Sequence, residues 1–164
     1  MGMLAYLVRV DKETLDSYLA DSQLLESMIE NNQGLGPNWL DLDKSWDGLL
    51  FLLNGEGMAN IDHPLTSVLF SDQVIDPDQD LGYGPANYLL PEQVKDLSDQ
   101  LSLIIPSELK QRYDPQRMNE CQVYPTGWDT DHQLSDFLVE SFKELQKFYA
   151  QSAVEGLAII SFLS

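Results

Sequence analysis

An α+β fold is predicted, in which a small mixed sheet includes the N- and C-terminal strands and several helices pack on it. Three observations predict it. Met3 to Val10 and Leu157 to Leu163 are apolar runs with β-branched members, the composition of buried strands. Between them, apolar residues recur at helical spacing in several stretches. No internal repeat, low-complexity tract or linker divides the 164 residues, a length that suits one domain.

The elements follow in order. Met3 to Val10 is the first strand, and Asp11 caps what comes next. Leu15, Tyr18 and Leu19 stand at i, i+3, i+4, so the second element is an amphipathic helix. Asp21-Ser22 breaks and recaps it. Leu24, Leu25, Met28 and Ile29 continue the spacing in a second helix to about Glu30. Asn31 to Asn38 is a loop punctuated by Gly34, Gly36 and Pro37. Trp39 and Leu40 then lead into a central helix. Asp43 or Ser45 is its expected cap, Leu49 to Leu53 is its apolar body, and Asn54-Gly55 is its stop. A helix apolar all round must be buried on most sides.

Gly55 to Pro64 reads as a loop, and Leu65 to Phe70 as a strand or a short apolar segment under the core. Tyr83-Gly84-Pro85 is a turn, because the residue before proline is pushed out of the helical region. Ala86 to Leu90 is a further strand. Pro91-Glu92 opens a helix whose buried stripe is Val94, Leu97, Leu101 and Ile104. Short helices follow at Ser107 to Tyr113 and Asp114 to Met118, then an irregular stretch from Gln122 to Trp128. Asp129 or Asp131 caps a long helix with Leu134, Phe137, Leu138, Phe142, Leu145, Phe148 and Tyr149 on one face, ended by Gly156. The closing strand pairs most economically with the first one.

Charge is the unusual feature: 27 acids against 9 bases, net −18. Spread over roughly 8,000 Å², these charges would lie beyond the ~8 Å Debye length of one another, so only clustering makes them functional. They do cluster: Asp72, Asp76, Asp78 and Asp80 in one stretch, Asp41, Asp43 and Asp47 in another, with Lys44 the only base between Lys12 and Lys95. Direct binding to nucleic acid is not expected, since phosphate contacts need a Lys/Arg surface. Nor is a membrane span, because no apolar run approaches ~20 residues. The single Cys121 allows no intrachain disulfide and suits a reducing compartment. No signal peptide is read at the start, and Tyr6 stands where a myristoylation motif wants Ser or Thr. A cytoplasmic location is expected.

The least replaceable residue types fall in two motifs, Leu42-Asp43-Lys44-Ser45-Trp46-Asp47-Gly48-Leu49 and Gly82-Tyr83-Gly84-Pro85-Ala86. Together with Met1-Gly2-Met3 opening a strand, Tyr124-Pro125 with Trp128, and the closing strand, they resemble the YfbM-like family of small bacterial proteins, a domain of unknown function. The resemblance covers essentially the whole chain. It implies a cytoplasmic single-domain α+β protein and supplies no catalytic residue.

Read for chemistry, Asp43, Lys44, Trp46, Asp47, Tyr83 and Gly84 are the candidate ligand-binding residues. If the motifs meet, glycines 82 and 84 let backbone N–H groups approach a ligand, and the surrounding carboxylates favour a cationic or neutral polyhydroxy one. The structural alternative has Trp46 filling the core, Asp43 capping, Lys44 paired with Asp47 at i+3 and the glycines serving turns. Asp76 to Asp80 imitates the start of a calcium loop, but Leu81 replaces the glycine it needs and Asn87 its final glutamate. His63, His132 and Cys121 have no partners at metal or catalytic spacing. No catalytic residue, metal or cofactor is assigned.

Two functions are weighed. The first is an acidic protein-binding module, of the inhibitor or immunity type, for a basic protein partner. The second is a small-molecule-binding protein or enzyme with a pocket near Trp46, Asp47 and Tyr83. A homodimeric scaffold anchored by surface aromatics such as Trp39 or Trp128 is a third reading.

Overall fold

The computed structural model describes residues 2–32 and 36–164. Its elements are β1 (Ala5–Val10), α1 (Lys12–Ala20), α2 (Ser22–Asn32), β2 (Trp39–Asp43), α3 (Trp46–Asn54), β3 (Asn87–Leu89), α4 (Pro91–Ser102), α5 (Pro106–Leu109), α6 (Pro115–Glu120), α7 (His132–Val154) and β4 (Ala158–Leu163). Single 3₁₀ turns lie at Gly57–Ala59, Pro64–Val68 and Lys110–Arg112.

The strands form one sheet in the order β2-β1-β4-β3. β1 and β4 pair in the middle, Ala5 opposite Leu163 through Val10 opposite Ala158. The sheet is antiparallel throughout, not mixed: every neighbouring pair runs in opposite directions. The outer edge of β3 is covered by the chain itself. Val74 bridges to Asn87, and Ile75 and Tyr88 donate to Ala86 and Gln73 at 2.9 and 3.0 Å.

All six residues of β4 are buried, because this central strand is covered on both sides. Alternation divides its side chains between two cores. Ala158, Ile160 and Phe162 join the smaller one, with Val8, Leu15, Tyr18, Leu25, Ile75 and Ala86 under α1, α2 and the 75–86 segment. Ile159 and Leu163 join the larger one, where α3, α4 and α7 pack with Leu109 and Met118 of the short helices. The helix starts follow their caps. Asp11 accepts from the Thr14 N–H at 2.7 Å, Asp114 from Arg117 at 3.0 Å and Asp131 from Gln133 at 2.9 Å. Gly55, at φ +87°, closes α3 in the left-handed region.

Trp39 and Leu40 do not lead into the central helix. They begin β2, where Leu40 and Leu42 face the core and Asp41 and Asp43 face outward, a period of two that the following apolar run obscures. Of the two readings of Leu65 to Phe70, the short segment under the core holds and the strand does not: Val68 and Leu69 are buried in the larger core, and Pro64 opens a 3₁₀ turn there, with the His63 Nδ1 accepting from the Leu65 N–H at 3.1 Å. No helix among the described residues is long and apolar enough to cross a membrane.

Candidate functional site

Asp47 stands in the first turn of α3, where a carboxylate is favoured by the helix dipole. It is only 5% exposed, and both oxygens are occupied. Oδ1 accepts from the Met58 N–H at 2.6 Å and Oδ2 from the Tyr124 N–H at 2.8 Å. Burial pushes this carboxyl above its ordinary value, and the two N–H groups pull it part of the way back. Gly57 packs so tightly at φ +67° that a Cβ there would lie 2.6 Å from Oδ1. Asp47 therefore fastens the 57–59 turn and the loop carrying Tyr124 to the start of α3.

Trp46 is 1% exposed. Its Nε1 donates to the Met3 carbonyl at 3.1 Å, and the Tyr124 hydroxyl accepts from the Met3 N–H at 3.0 Å. The indole stacks on Tyr124 at 5.6 Å and meets Phe70 edge-on at 5.7 Å. Met3, Trp46, Asp47 and Tyr124 thus form one closed set of contacts. Glycines let it close. A Cβ on Gly2 would run into Lys44 and the Tyr124 hydroxyl, and one on Gly48 would lie 2.7 Å from the Trp128 ring. Trp128, expected as a surface aromatic, is buried, with Nε1 donating to Val123 at 2.9 Å.

The other candidates lie elsewhere. Asp43 ends β2 at φ +47° and is exposed. It caps nothing, and the Ser45 hydroxyl donates to Leu42 at 2.6 Å rather than capping α3. Lys44 makes no ion pair with Asp47, whose oxygens are taken by N–H groups. It lines an apolar groove of about 160 Å³ with Pro125, Trp128, Leu134 and Phe137. Tyr83 is 49% exposed. The N–H groups of Gly82 and Gly84 are turned inward to the Asp80 carboxylate, at 2.9 and 3.3 Å, which holds that carboxyl below its ordinary value.

The two motifs occupy the same end of the sheet without touching. Asp43 is opposite Ala5, and Ala5 opposite Leu163. A Cβ on Gly82 would lie 3.4 Å from the Ser164 Cα. The ends of β1 and β4 therefore stand between the motifs. Trp46 belongs to the larger core, while Leu81 and Ala86 pack in the smaller one. The structure brings Trp46 and Asp47 together with Tyr124, and leaves Tyr83 and Gly84 apart from them. The cavities lined by Val8 and Trp39, by Lys44 and Phe137, by His63 and Phe70, and by Lys110 and His132 do not include Trp46, Asp47 or Tyr83. Tyr124 is the residue that sequence reasoning missed as a partner of Trp46. Its only signal was the Tyr124-Pro125 pair near Trp128.

Asp76 also serves the chain itself. Asp76 accepts from the Ser22 hydroxyl at 2.7 Å and the Asp78 N–H at 3.0 Å. Among the described residues, no three His, Cys, Asp or Glu side chains stand close enough to hold a metal ion.

Comparison with known proteins agrees with this architecture. The family model described as "Domain of unknown function (DUF1877)" matches residues 1–162. Protein YfbM of Escherichia coli strain K12 is 26% identical over 129 residues, covering 76% of this chain and 74% of that protein. The crystal structure of the E. coli protein, titled as one of unknown function, superposes with a TM-score of 0.78 at 20% identity over 98% of this chain and 99% of that one. That likeness concerns the fold. The chain is a member of the DUF1877, YfbM-like family.

Proposed function

We propose that this chain is an acidic protein-binding module that docks on a basic surface of a partner protein, as an inhibitor or immunity-type protein does. The observation that carries the reading is the division of charge between the two faces of the sheet. Residues 11–43 and 72–86, which build and edge the smaller core, hold twelve carboxylates and one base, Lys12, and that base is tied to Asp16. The rest of the chain holds fifteen acids and eight bases, and four of those bases are also in ion pairs. The smaller face therefore carries a nearly unopposed negative field. Asp76 and Asp80 keep their charge well into acid because N–H or hydroxyl donors hold their carboxyls below the ordinary range.

Such a field steers a positively charged partner and makes association sensitive to ionic strength. A cytoplasmic partner belongs to this reading. The test is affinity capture from the organism's own lysate, elution by rising salt, and retitration of the eluted protein in purified form. A basic protein whose affinity falls steeply with salt is the expected result. Capture that ignores salt, or none at all, would overturn it.

A further inference from the structure

One end of the smaller sheet face carries an aromatic trio. Tyr6 stacks on Phe162 at 5.5 Å, and Trp39 meets both edge-on, at 6.3 and 6.0 Å. Phe162 is the buried floor, and Tyr6 and Trp39 are half-buried. The Tyr6–Phe162 contact is the trio's one stacked pair, so Tyr6 and Trp39 each keep a ring face on which neither other ring is stacked. Two carboxylates stand beside them. Asp41 is opposite Tyr6 in the sheet, two residues from Trp39 on the same face. Asp43 follows it, and both are exposed. The Tyr6 phenol is pushed up by burial first, and then by the charges of Asp41 and Asp43.

Nothing within the described chain neutralises that pair, since neither acid takes part in a described ion pair. One Asp41 oxygen accepts from the Asp43 N–H at 2.7 Å, which leaves the other free to accept. Lys44, the nearest base in sequence, lies over Gly2 and Tyr124 at the larger core. The patch thus sets partly exposed aromatic rings beside unpaired anionic acceptors, a combination that suits a planar cation.

We propose that this patch receives an arginine side chain of the basic partner, its guanidinium laid against Tyr6 and Trp39 and bonded to Asp41 and Asp43. The proposal rests on the acidic-module reading and gives it a contact point. Arginine is preferred to lysine because a flat, delocalised cation stacks on a ring while its in-plane N–H groups bond carboxylates.

The probe is N-acetyl-arginine methylamide, titrated into isotopically labelled protein while the Trp39 indole N–H signal is followed. The neutral isostere, N-acetyl-citrulline methylamide, is the control. Trp46 and Trp128 are buried, so Trp39 is the responsive indole. The expected result is a saturable shift at Trp39 with arginine and none with citrulline. The double variant Asp41→Asn, Asp43→Asn, altered only at exposed positions, should weaken arginine binding roughly fivefold. Trp39→Leu should abolish it, read as loss of the saturable shift that the parent shows at the Asp41 and Asp43 backbone N–H signals. Equal responses to arginine and citrulline, or unchanged affinity in the double variant, would overturn the proposal. Those outcomes leave salt-sensitive partner capture untouched, whereas salt-insensitive capture sinks the wider reading whatever Trp39 does.

Discussion

Asp47 and Asp80 do the same job in two motifs, and their surroundings make them opposites. Each carboxylate gathers two backbone N–H groups, Met58 and Tyr124 for Asp47, Gly82 and Gly84 for Asp80. Asp80 lies in solvent, so its hydrogen bonds dominate and its carboxyl is held low. Asp47 is sealed, so desolvation dominates and its carboxyl is pushed up despite two comparable or shorter hydrogen bonds. The lesson is that hydrogen bonding alone does not set the charge of a carboxylate; access to water decides which effect wins. The same contrast separates the sheet's faces. The Trp46–Asp47 motif is spent on holding the larger core together, and most acids around the smaller face stand exposed.

The largest expected effect comes from deleting the centre of the buried motif. Trp46→Ala empties a fully enclosed site and unlinks Met3, and should cost about 3–5 kcal/mol, read as the loss in denaturant midpoint at unchanged slope. Gly57→Ala comes next. Its φ of +67° and the 2.6 Å approach to Asp47 combine backbone strain with collision, for about 1–3 kcal/mol by the same measurement.

Asp47→Asn sharpens the comparison further. Asparagine offers one acceptor oxygen where Asp47 offers two, so the N–H of Met58 or Tyr124 loses its partner, at about 1–3 kcal/mol. The pH dependence has a definite sign. A carboxyl raised in the folded state binds its proton more tightly there than in the unfolded chain. Asp47 therefore favours folding most below its unfolded value, and that advantage fades as pH rises through the folded one. The cost of Asp47→Asn should be greater in acid than at neutral pH. Asp80→Asn should show the smallest change and the reverse trend. Its depressed carboxyl stabilises the fold above the unfolded value and stops doing so as pH falls through the folded one. Melting curves across the acid range check both.

Much of the frame was legible in the residues. β-branched apolar ends signalled β1 and β4, and the spacing from Leu134 to Tyr149 signalled α7. Asp11, Pro91 and Gly55 marked helix ends where local chemistry alone decides. β2 was not legible, because five residues give too short an alternation to stand out beside Leu49–Leu53. The site was legible only in part. Trp46 and Asp47 were singled out together, but Tyr83 was set beside them in place of Tyr124. Asp47 and Tyr124 are 77 residues apart, and no local period encodes a contact made by tertiary packing. The grouping of Trp39 with Tyr6 and Phe162 was not legible for a related reason, since the three come from three strands.

The most direct test sets the two faces against each other, using the purified partner obtained by salt elution. One variant neutralises Glu13, Glu30, Asp43 and Asp78 around the smaller face, and the other Glu92, Asp96, Asp99 and Glu144 on the helices of the larger one, all exposed positions. Both lose the same charge. The first should bind roughly thirtyfold more weakly than the parent, and the second nearly as well as the parent. Equal losses, or a greater loss in the second variant, would contradict the account.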